Sequence, residues 1–330
     1  MKAIVVGLGS MGRRRARLLH ELDKSIQIIG VDMQTARRKQ AEDELGIMTS
    51  ESIELACKEY QPDVAFISTS PLSHAEIIKE CLERKLHVFT ELNLVTKGYD
   101  ENIKLAGTQK RELFLSSTFL YRKEIQYIKE AVHSHKGKLS YMYHAGQYLP
   151  DWHPWESYKD FFIGKKETNG CREFMAIEFP WLIDAFGNIK SVKAIKGKFS
   201  NLDIDFADTY HIMLEHDNGN KGMLTVDVVS RKSVRNLEVS GENLYLTWNG
   251  TPDTLNVYDY TNKKTENISL YESAENREGY SAFIIEDAYK SEIENFLNTV
   301  AGKEKAKYSF EKDKKVLSII DMIEESEENL

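Results

Sequence analysis

The 330-residue sequence predicts two consecutive domains: a doubly wound parallel α/β sheet over residues 1–121, and a mostly antiparallel, open β-sheet with inserted helices over residues 122–330. Three observations support this α/β plus α+β prediction. Short apolar runs alternate with helical patterns as far as residue 121, which is typical of a parallel sheet. Alternating strand patterns dominate from residue 139 onwards. The length also fits two domains, since one domain takes about 100–200 residues.

The chain begins with an apolar strand that runs straight into a glycine-rich turn. The strand is Lys2–Val6, and the following six residues read G-L-G-S-M-G. In such a turn the first glycine allows a tight bend, the second lets the backbone approach a pyrophosphate, and the third lets the next helix pack closely on the strand. This is the fingerprint of a dinucleotide-binding Rossmann domain. The residues predicted to contact the dinucleotide here are Gly7, Gly9, Ser10, Met11 and Gly12.

A second apolar strand, Ile26–Val31, leads to Asp32, at the spacing from the glycines where a carboxylate accepts hydrogen bonds from the adenosine ribose. Arg37, near the start of the next helix, could reach a 2′-phosphate. Asp32 would repel that phosphate, so NAD is the predicted cofactor and NADP stays an alternative.

Four arginines, Arg13, Arg14, Arg15 and Arg17, lie in the first part of the helix after the glycine turn. Cations at a helix N-terminus oppose the helix macrodipole, each by roughly 0.3–1 kcal/mol. A bound diphosphate would remove this penalty. The alternative is that the arginines simply point to solvent.

A third strand, Val64–Ile67, is followed by three small polar residues, Ser68, Thr69 and Ser70. Ligands of doubly wound sheets bind at the carboxyl ends of the strands, so these residues are expected to face the cofactor. Helix capping is the alternative role for such residues.

The second half reads as strands joined by tight turns, with helices near Phe174–Phe186, Glu286–Val300 and Glu311–Glu325. An open antiparallel sheet usually needs its outer face covered. A homodimer or homotetramer built through that face is therefore expected.

Composition limits the other function classes. The chain has 44 Lys and Arg against 52 Asp and Glu, a net charge of −8, which argues against a nucleic-acid partner. No apolar run approaches the roughly 18 residues needed to span a membrane, so a cytoplasmic location is expected. Three scattered cysteines predict neither a disulfide framework nor a zinc site, and no metal is expected.

The sequence resembles the Gfo/Idh/MocA family, the glucose–fructose oxidoreductase and inositol dehydrogenase group. The resemblance rests on the glycine turn, on Ser68–His74, on Glu91 in the family's Glu-Lys-Pro turn, and on Tyr121-Arg122 at the domain crossover. It implies an NAD(P)-dependent oxidoreductase acting on a sugar or nucleotide-sugar carbon, as in surface-polysaccharide biosynthesis. It also implies cofactor contacts from His74 and Glu91.

Two catalytic motifs of the family differ in this chain. The lysine of the Glu-Lys-Pro turn is replaced by Leu92. The helical aspartate and histidine of the family correspond, counting back from Gly187, to Glu173 and Ile177. The loss of the lysine and histidine leaves a second function open, in which the chain is a non-catalytic NAD(P)-binding sensor or assembly partner.

Two residues are predicted as replacement proton acceptors, Glu178 and His153. Glu178 shares a helical face with apolar residues, and desolvation there would raise its pKa towards the range useful to a general base. The alternative is a buried glutamate paired with an arginine. Pro180 is expected to break or start the helix at this point.

His153 lies in an aromatic-rich loop over residues 149–156, whose tryptophans suit stacking on a sugar. The loop could equally close a subunit interface or fill the domain junction. Arginine forks bind carboxylates or phosphates of a substrate. The residues predicted to hold the substrate are Arg122, Trp152 and Arg172.

Overall fold

The protein is described by a computed structural model that covers residues 1–152, 156–272 and 283–326. The chain divides into two compact units. The first contains Met1–Thr118 and Tyr289–Lys314, and the second contains Phe119–Ala288 and Lys315–Leu330. The predicted boundary at residue 121 lies close to the first junction, but a single boundary does not describe the chain, because residues 289–314 pack with the N-terminal unit.

The first unit is built on a six-stranded parallel sheet with the strand order β3-β2-β1-β4-β5-β6. Its strands are β1 (Lys2–Val6), β2 (Gln27–Val31), β3 (Met48–Ser50), β4 (Val64–Ile67), β5 (His87–Thr90) and β6 (Leu113–Leu115). Its helices are α1 (Ser10–Leu22), α2 (Thr35–Leu45), α3 (Ile53–Tyr60), α4 (His74–Glu83) and α5 (Tyr99–Gln109).

The central strand β1 shows why this sheet forms. Ala3, Ile4 and Val5 have no exposed surface, because β1 lies between β2 and β4 and is covered on both faces. Continuous apolar runs of this kind are typical of parallel sheets with helices on both sides. The predicted doubly wound domain is confirmed.

The second unit contains an eight-stranded sheet with the order β14-β13-β12-β11-β7-β10-β9-β8. Neighbouring strands are antiparallel except for the parallel pair β7 and β10. The strands are β7 (Ser140–Gly146), β8 (Ile189–Gly197), β9 (Thr209–His216), β10 (Lys221–Asp227), β11 (Val234–Gly241), β12 (Leu244–Trp248), β13 (Asn256–Asp259) and β14 (Lys264–Asn267). The predicted open, mostly antiparallel sheet is confirmed.

Helices α6 (Lys123–Ser134) and α7 (Gly170–Phe186) belong to this unit, while α8 (Glu286–Val300) and α9 (Phe310–Glu325) each cross a boundary between the units. Helix α7 covers one face of the sheet: Phe186 stacks on Tyr141 with ring centroids 4.1 Å apart, and Trp181 meets Tyr143 edge-on at 5.3 Å. Side chains of β7 that point the other way, such as Met142, are exposed.

Candidate functional site

The glycine turn between β1 and α1 has the geometry that its sequence predicts. Gly7 has a φ of +90°, and a Cβ there would lie 2.7 Å from the Ser68 carbonyl oxygen. A Cβ on Gly12 would lie 1.8 Å from the carbonyl oxygen of Gly7. A Cβ on Gly9 would meet no atom within 4 Å. The first and third glycines are therefore required by packing, whereas the second faces open space.

The N-terminus of α1 is prepared for an anion. Gly9 is the N-cap and supplies no capping side chain, the first turn has no acidic residue, and Ser10 is exposed. The first backbone N–H groups of a helix have no partner within the helix. Together with the helix macrodipole they attract a phosphate group. Ser10, Met11 and Gly12 supply these groups, so the turn fits a pyrophosphate.

Asp32 is fixed at the carboxyl end of β2 by the backbone. Its Oδ2 accepts a hydrogen bond from the Leu8 N–H at 2.9 Å, and its Oδ1 accepts one from the Gln34 N–H at 2.8 Å. Two carboxylate oxygens offer about four acceptor sites, so capacity remains for ribose hydroxyls. Arg37 Nη1 lies 3.8 Å from Asp32 Oδ2. The arrangement fits NAD.

His74 is buried between the turns that follow β4 and β5. Its Nε2 lies 3.1 Å from the Thr69 carbonyl oxygen, and its Nδ1 lies 2.5 Å from Asn93 Oδ1. Burial lowers the pKa of His74. The Ser73 hydroxyl donates to Thr69 Oγ1 and to the Ser70 carbonyl oxygen. His74 therefore joins the two turns, and its direct contact with the cofactor stays a prediction.

Ser68 and Glu91 also lie at this edge of the sheet. Ser68 Oγ is buried and has no hydrogen bond to a described residue. The carboxylate of Glu91 receives two hydrogen bonds from Arg15, at 2.6 and 3.0 Å. The direct cofactor contacts predicted for both residues stay predictions.

The alternative in which the arginines of α1 all point to solvent is wrong for Arg14 and Arg15, which are both buried. Arg15 makes ion pairs with Glu91 and Glu292, and its guanidinium lies 4.5 Å from the centre of the Phe89 ring. The partner Glu292 is 277 positions away along the chain, so no local pattern could reveal it.

The two arginines predicted to hold substrate are engaged within the second unit. Arg122 is buried and donates to Glu124, to the Gly250 carbonyl oxygen at 2.8 Å and to the Phe283 carbonyl oxygen at 3.2 Å. Arg172 is also buried, and it pairs with two acidic residues of α9, Asp321 and Glu324. These partners satisfy charges that would be costly to bury alone, which is a structural role, and the substrate contacts predicted for both arginines stay predictions.

Glu178 matches the alternative of a buried glutamate paired with an arginine. Its side chain has no exposed surface. Oε1 accepts from Arg235 Nε at 3.0 Å, and Oε2 accepts from the Tyr143 hydroxyl at 2.8 Å and from Trp181 Nε1 at 2.6 Å. These contacts favour a structural role for Glu178, and its role as the proton acceptor stays a prediction.

The helix that carries Glu178 runs without interruption from Gly170 to Phe186, so the expected break at Pro180 is wrong. Trp152, at the start of the aromatic loop, packs edge-on against Phe174 of this helix at 5.0 Å and donates to the Gln147 carbonyl oxygen at 3.2 Å. His153 lies outside the described residues, and its catalytic role stays a prediction.

Glu173, in the first turn of α7, is a titratable group that sequence reasoning did not select. Its Oε2 is buried and forms no hydrogen bond with a described residue. Burial raises the pKa of its carboxyl to about 7. The signal that could have identified it was its alignment with the catalytic aspartate of the resembling family.

No helix in the described ranges is long and apolar enough to cross a membrane. Within the same ranges, no group of three or more His, Cys, Asp or Glu side chains could hold a metal ion.

Comparison with known proteins agrees with this reading of the N-terminal unit. Residues 1–113 match the Gfo/Idh/MocA family model, described as an oxidoreductase family with an NAD-binding Rossmann fold. Myo-inositol 2-dehydrogenase from Thermotoga maritima is 27% identical over 136 residues, which make up 40% of this chain and 40% of that protein.

Two solved structures cover almost the whole chain. UDP-N-acetylglucosamine 3-dehydrogenase GnnA from Acidithiobacillus ferrooxidans aligns with a TM-score of 0.77 and 18% identity, over 98% of this chain and 96% of that one. The WlbA dehydrogenase from Chromobacterium violaceum, in complex with NADH and UDP-GlcNAcA, aligns with a TM-score of 0.76 and 17% identity, over 98% and 92%. At these identities the likeness shows the fold. Residues 1–113 therefore match the NAD-binding Rossmann fold of the Gfo/Idh/MocA family model, and this match confirms the resemblance and the NAD cofactor expected from the sequence.

Proposed function

We propose that the protein is an NAD-dependent oxidoreductase that transfers a hydride between the nicotinamide and a carbon of a sugar or nucleotide sugar. The observation that carries the proposal is the uncapped N-terminus of α1 beside Gly9, with Asp32 fixed at the end of the neighbouring strand. The sugar class is supported by the relatives, which include an inositol dehydrogenase and nucleotide-sugar dehydrogenases. A role in surface-polysaccharide biosynthesis belongs to the same proposal.

Oxidation of an alcohol carbon also requires a group that removes the hydroxyl proton. Leu92 cannot do this. We assign the proton-accepting role to Glu173, because one of its buried carboxyl oxygens has no hydrogen bond to a described residue and its pKa of about 7 is close to the pH at which a general base works best. His153 stays a second candidate for the same role.

Arg231 is a further candidate ligand for an anionic substrate group, beside the predicted Arg122 and Arg172. It is exposed, and its guanidinium lies 3.6 Å from the centre of the Tyr148 ring. Stacking on an aromatic ring holds the planar fork in place while its N–H groups stay open for a carboxylate or phosphate. A substrate with such a group, for example a uronate or a nucleotide sugar, is therefore favoured over a neutral sugar.

A second candidate function is a non-catalytic NAD-binding sensor or assembly partner. It is favoured by the apolar side chains of Leu92 and Ile177 at positions where the resembling family carries catalytic groups. In that case cofactor binding persists without turnover.

Turnover tests the proposal. The purified protein with NAD⁺ is offered neutral sugars, uronates and nucleotide sugars, and with NADH the corresponding keto compounds, while absorbance of the reduced nicotinamide is followed. The proposal expects turnover with at least one anionic sugar and a higher kcat/KM than for its neutral counterpart. NADH binding without turnover across this panel would favour the sensor or assembly role.

A further inference from the structure

Arg15 connects three polypeptide segments inside the N-terminal unit. It projects from α1, the helix whose N-terminus forms the nucleotide site, and its side chain has no exposed surface. Arg15 Nε and Nη2 donate to the two carboxylate oxygens of Glu91 at 2.6 and 3.0 Å. Nη2 also donates to Glu292 Oε2 of α8 at 2.7 Å. The bidentate pair fixes the direction of the Glu91 side chain as well as its position.

Glu292 extends the connection to the segment after β6. Its Oε1 accepts from the Ser117 N–H at 2.7 Å, and its Oε2 accepts from the Thr118 hydroxyl at 3.0 Å. The Ser116 hydroxyl donates to the same carboxylate at 3.0 Å. One carboxylate from the C-terminal part of the chain therefore holds both Arg15 and the turn that follows the last strand of the parallel sheet.

The guanidinium of Arg15 is enclosed by aromatic rings. It lies 4.5 Å from the centre of Phe89 and 5.1 Å from the centre of Tyr289. Burial alone would lower the pKa of Arg15, but the neighbouring carboxylates of Glu91 and Glu292 raise it. Burial raises the pKa of Glu292. A buried arginine of this kind keeps its charge and binds both carboxylates in a fixed geometry.

The strand order places Arg15, Glu91 and Glu292 on the nicotinamide side of the nucleotide site. Asp32 follows β2, and the glycine turn follows β1, while β4 and β5 lie on the other side of β1. A dinucleotide with its adenosine at Asp32 and its pyrophosphate at α1 must extend towards β4 and β5. Two strand spacings, about 10 Å, separate β1 from β5, and Glu91 directly follows β5.

We propose that Arg15 and Glu292 are positioning residues that set Glu91, and with it the turn after β5, for the nicotinamide half of NAD. The segment 289–314 then completes the nucleotide-binding domain, although it lies far from the glycine turn in sequence. This inference rests on the proposed NAD-dependent function. It goes further by assigning a role to residues that make no direct contact with the cofactor.

The test compares the affinity for the whole dinucleotide with the affinity for a ligand that lacks the nicotinamide. NADH and ADP-ribose, which lacks the nicotinamide, are titrated by calorimetry into the wild type, Arg15→Lys and Glu292→Gln. Lysine keeps the charge but cannot bridge two carboxylates as a planar fork does. We expect NADH affinity to fall about tenfold in both variants and ADP-ribose affinity to stay within about twofold.

Two controls separate positioning from loss of stability. Arg17→Lys makes the same change in the same helix, where the arginine pairs at the surface with Glu21. Asp313→Asn perturbs another buried contact of the same C-terminal segment, where Asp313 accepts hydrogen bonds from Tyr99 and Tyr308. Both controls should retain the wild-type ratio of NADH to ADP-ribose affinity. Should Arg15→Lys and Glu292→Gln fail to fold, Ser116→Ala removes one hydrogen bond to Glu292 and is expected to change the ratio in the same direction.

The positioning role would be overturned if Arg15→Lys and Glu292→Gln weakened the binding of NADH and ADP-ribose equally. It would also be overturned if Asp313→Asn changed the ratio of the two affinities to the same extent. An unchanged ratio in the folded variants would overturn it as well. Failure of the wild type to bind either ligand would instead contradict the proposed function, so the two failures are distinguishable.

Discussion

At the scale of single residues, Glu173 has the protonation behaviour that proton transfer requires. A carboxyl in the first turn of a helix is normally favoured in its charged form by the helix macrodipole. Here burial outweighs that effect and raises the pKa to about 7. The side chain is therefore divided between its two protonation states near neutral pH, and it can accept a proton and release it again.

Replacing Glu173 by Gln should lower kcat by about 10²–10⁴-fold, because a general base contributes that much to a rate. The wild-type rate of alcohol oxidation should rise with pH through about 7, as Glu173 becomes deprotonated. Glu167→Gln, at an exposed position just before α7, is the matched control. It should keep the wild-type kcat and the wild-type pH dependence of the rate. An unchanged kcat and pH profile in Glu173→Gln would remove this assignment.

The same pKa predicts how the stability of the fold depends on pH. The folded chain holds the Glu173 proton more tightly than the unfolded chain, whose pKa is near 4.5. The free energy of unfolding should therefore fall as pH rises from about 4.5 to 7, by up to about 3 kcal/mol. Urea unfolding of the wild type and Glu173→Gln across this pH range checks the effect, which the variant should lack.

Residue roles were predictable where the signal was local. Gly7, Gly12 and Asp32 act within one strand–turn–helix–strand unit, so their spacing in the sequence carries the prediction. The buried partners of Arg122 and Arg172 were not predictable, because most of them come from distant parts of the chain. The Arg172 partners are about 150 positions away, and nothing near Arg172 in the sequence indicates them.

At the scale of elements, α7 is held on the sheet by a buried polar contact as well as by aromatic packing. Glu178 joins this helix to Arg235 of β11 and to Tyr143 of β7. Pro180 lies within the helix without ending it. The apolar surroundings of its last turns, including Trp181 and Phe186, are fully buried and offset the backbone hydrogen bond that proline cannot donate.

Replacing Glu178 by Gln should destabilise the second unit and leave NADH affinity unchanged. The substitution leaves the largely enclosed Arg235, whose side chain is 11% exposed, beside a neutral side chain. Breaking a buried ion pair costs about 3–5 kcal/mol. Chemical denaturation and NADH titration of the same preparation measure the two effects. Normal stability combined with a large loss of kcat would favour Glu178 as a catalytic candidate.

The elements with a regular alternation or a continuous apolar run were predicted, including the four-residue β4, whereas β3 and β14 were not. Strand β9 was expected over the residues that form it, because large apolar side chains recur at every second position, Tyr210, Ile212 and Leu214. Strand β3 has three residues and β14 has four, all exposed in the latter. Strands of this length carry no periodic signal, and pairing with their neighbours determines them.

At the scale of the whole molecule, the uncovered face of the second sheet presents a row of methionines. Met223 of β10 is directly paired with Met142 of β7 on one side and with Met213 of β9 on the other. Their exposed fractions are 58%, 52% and 60%. A contiguous apolar patch of this kind is typical of an interaction surface. We therefore propose that this face forms the contact of a homodimer or homotetramer.

Replacing Met223 by Glu places a charge at the centre of this row, and burying it in an interface would be costly. Light scattering should then give the mass of one 38.0 kDa chain, where the wild type gives a multiple of it. Met33→Glu, at a fully exposed methionine of the other unit, should leave the mass unchanged. A wild type that is already monomeric would contradict the proposed interface.

The most direct measurement of the central claim is NADH binding to Gly9→Asp. Nothing lies within 4 Å of a Cβ at Gly9, and aspartate is a favourable N-cap, so the variant should fold and be at least as stable as the wild type. Its carboxylate, however, would occupy and repel the pyrophosphate position. Fluorescence titration should show NADH binding to the wild type and none to Gly9→Asp at equal thermal stability. Undiminished binding in the variant would show that the nucleotide does not bind at the N-terminus of α1.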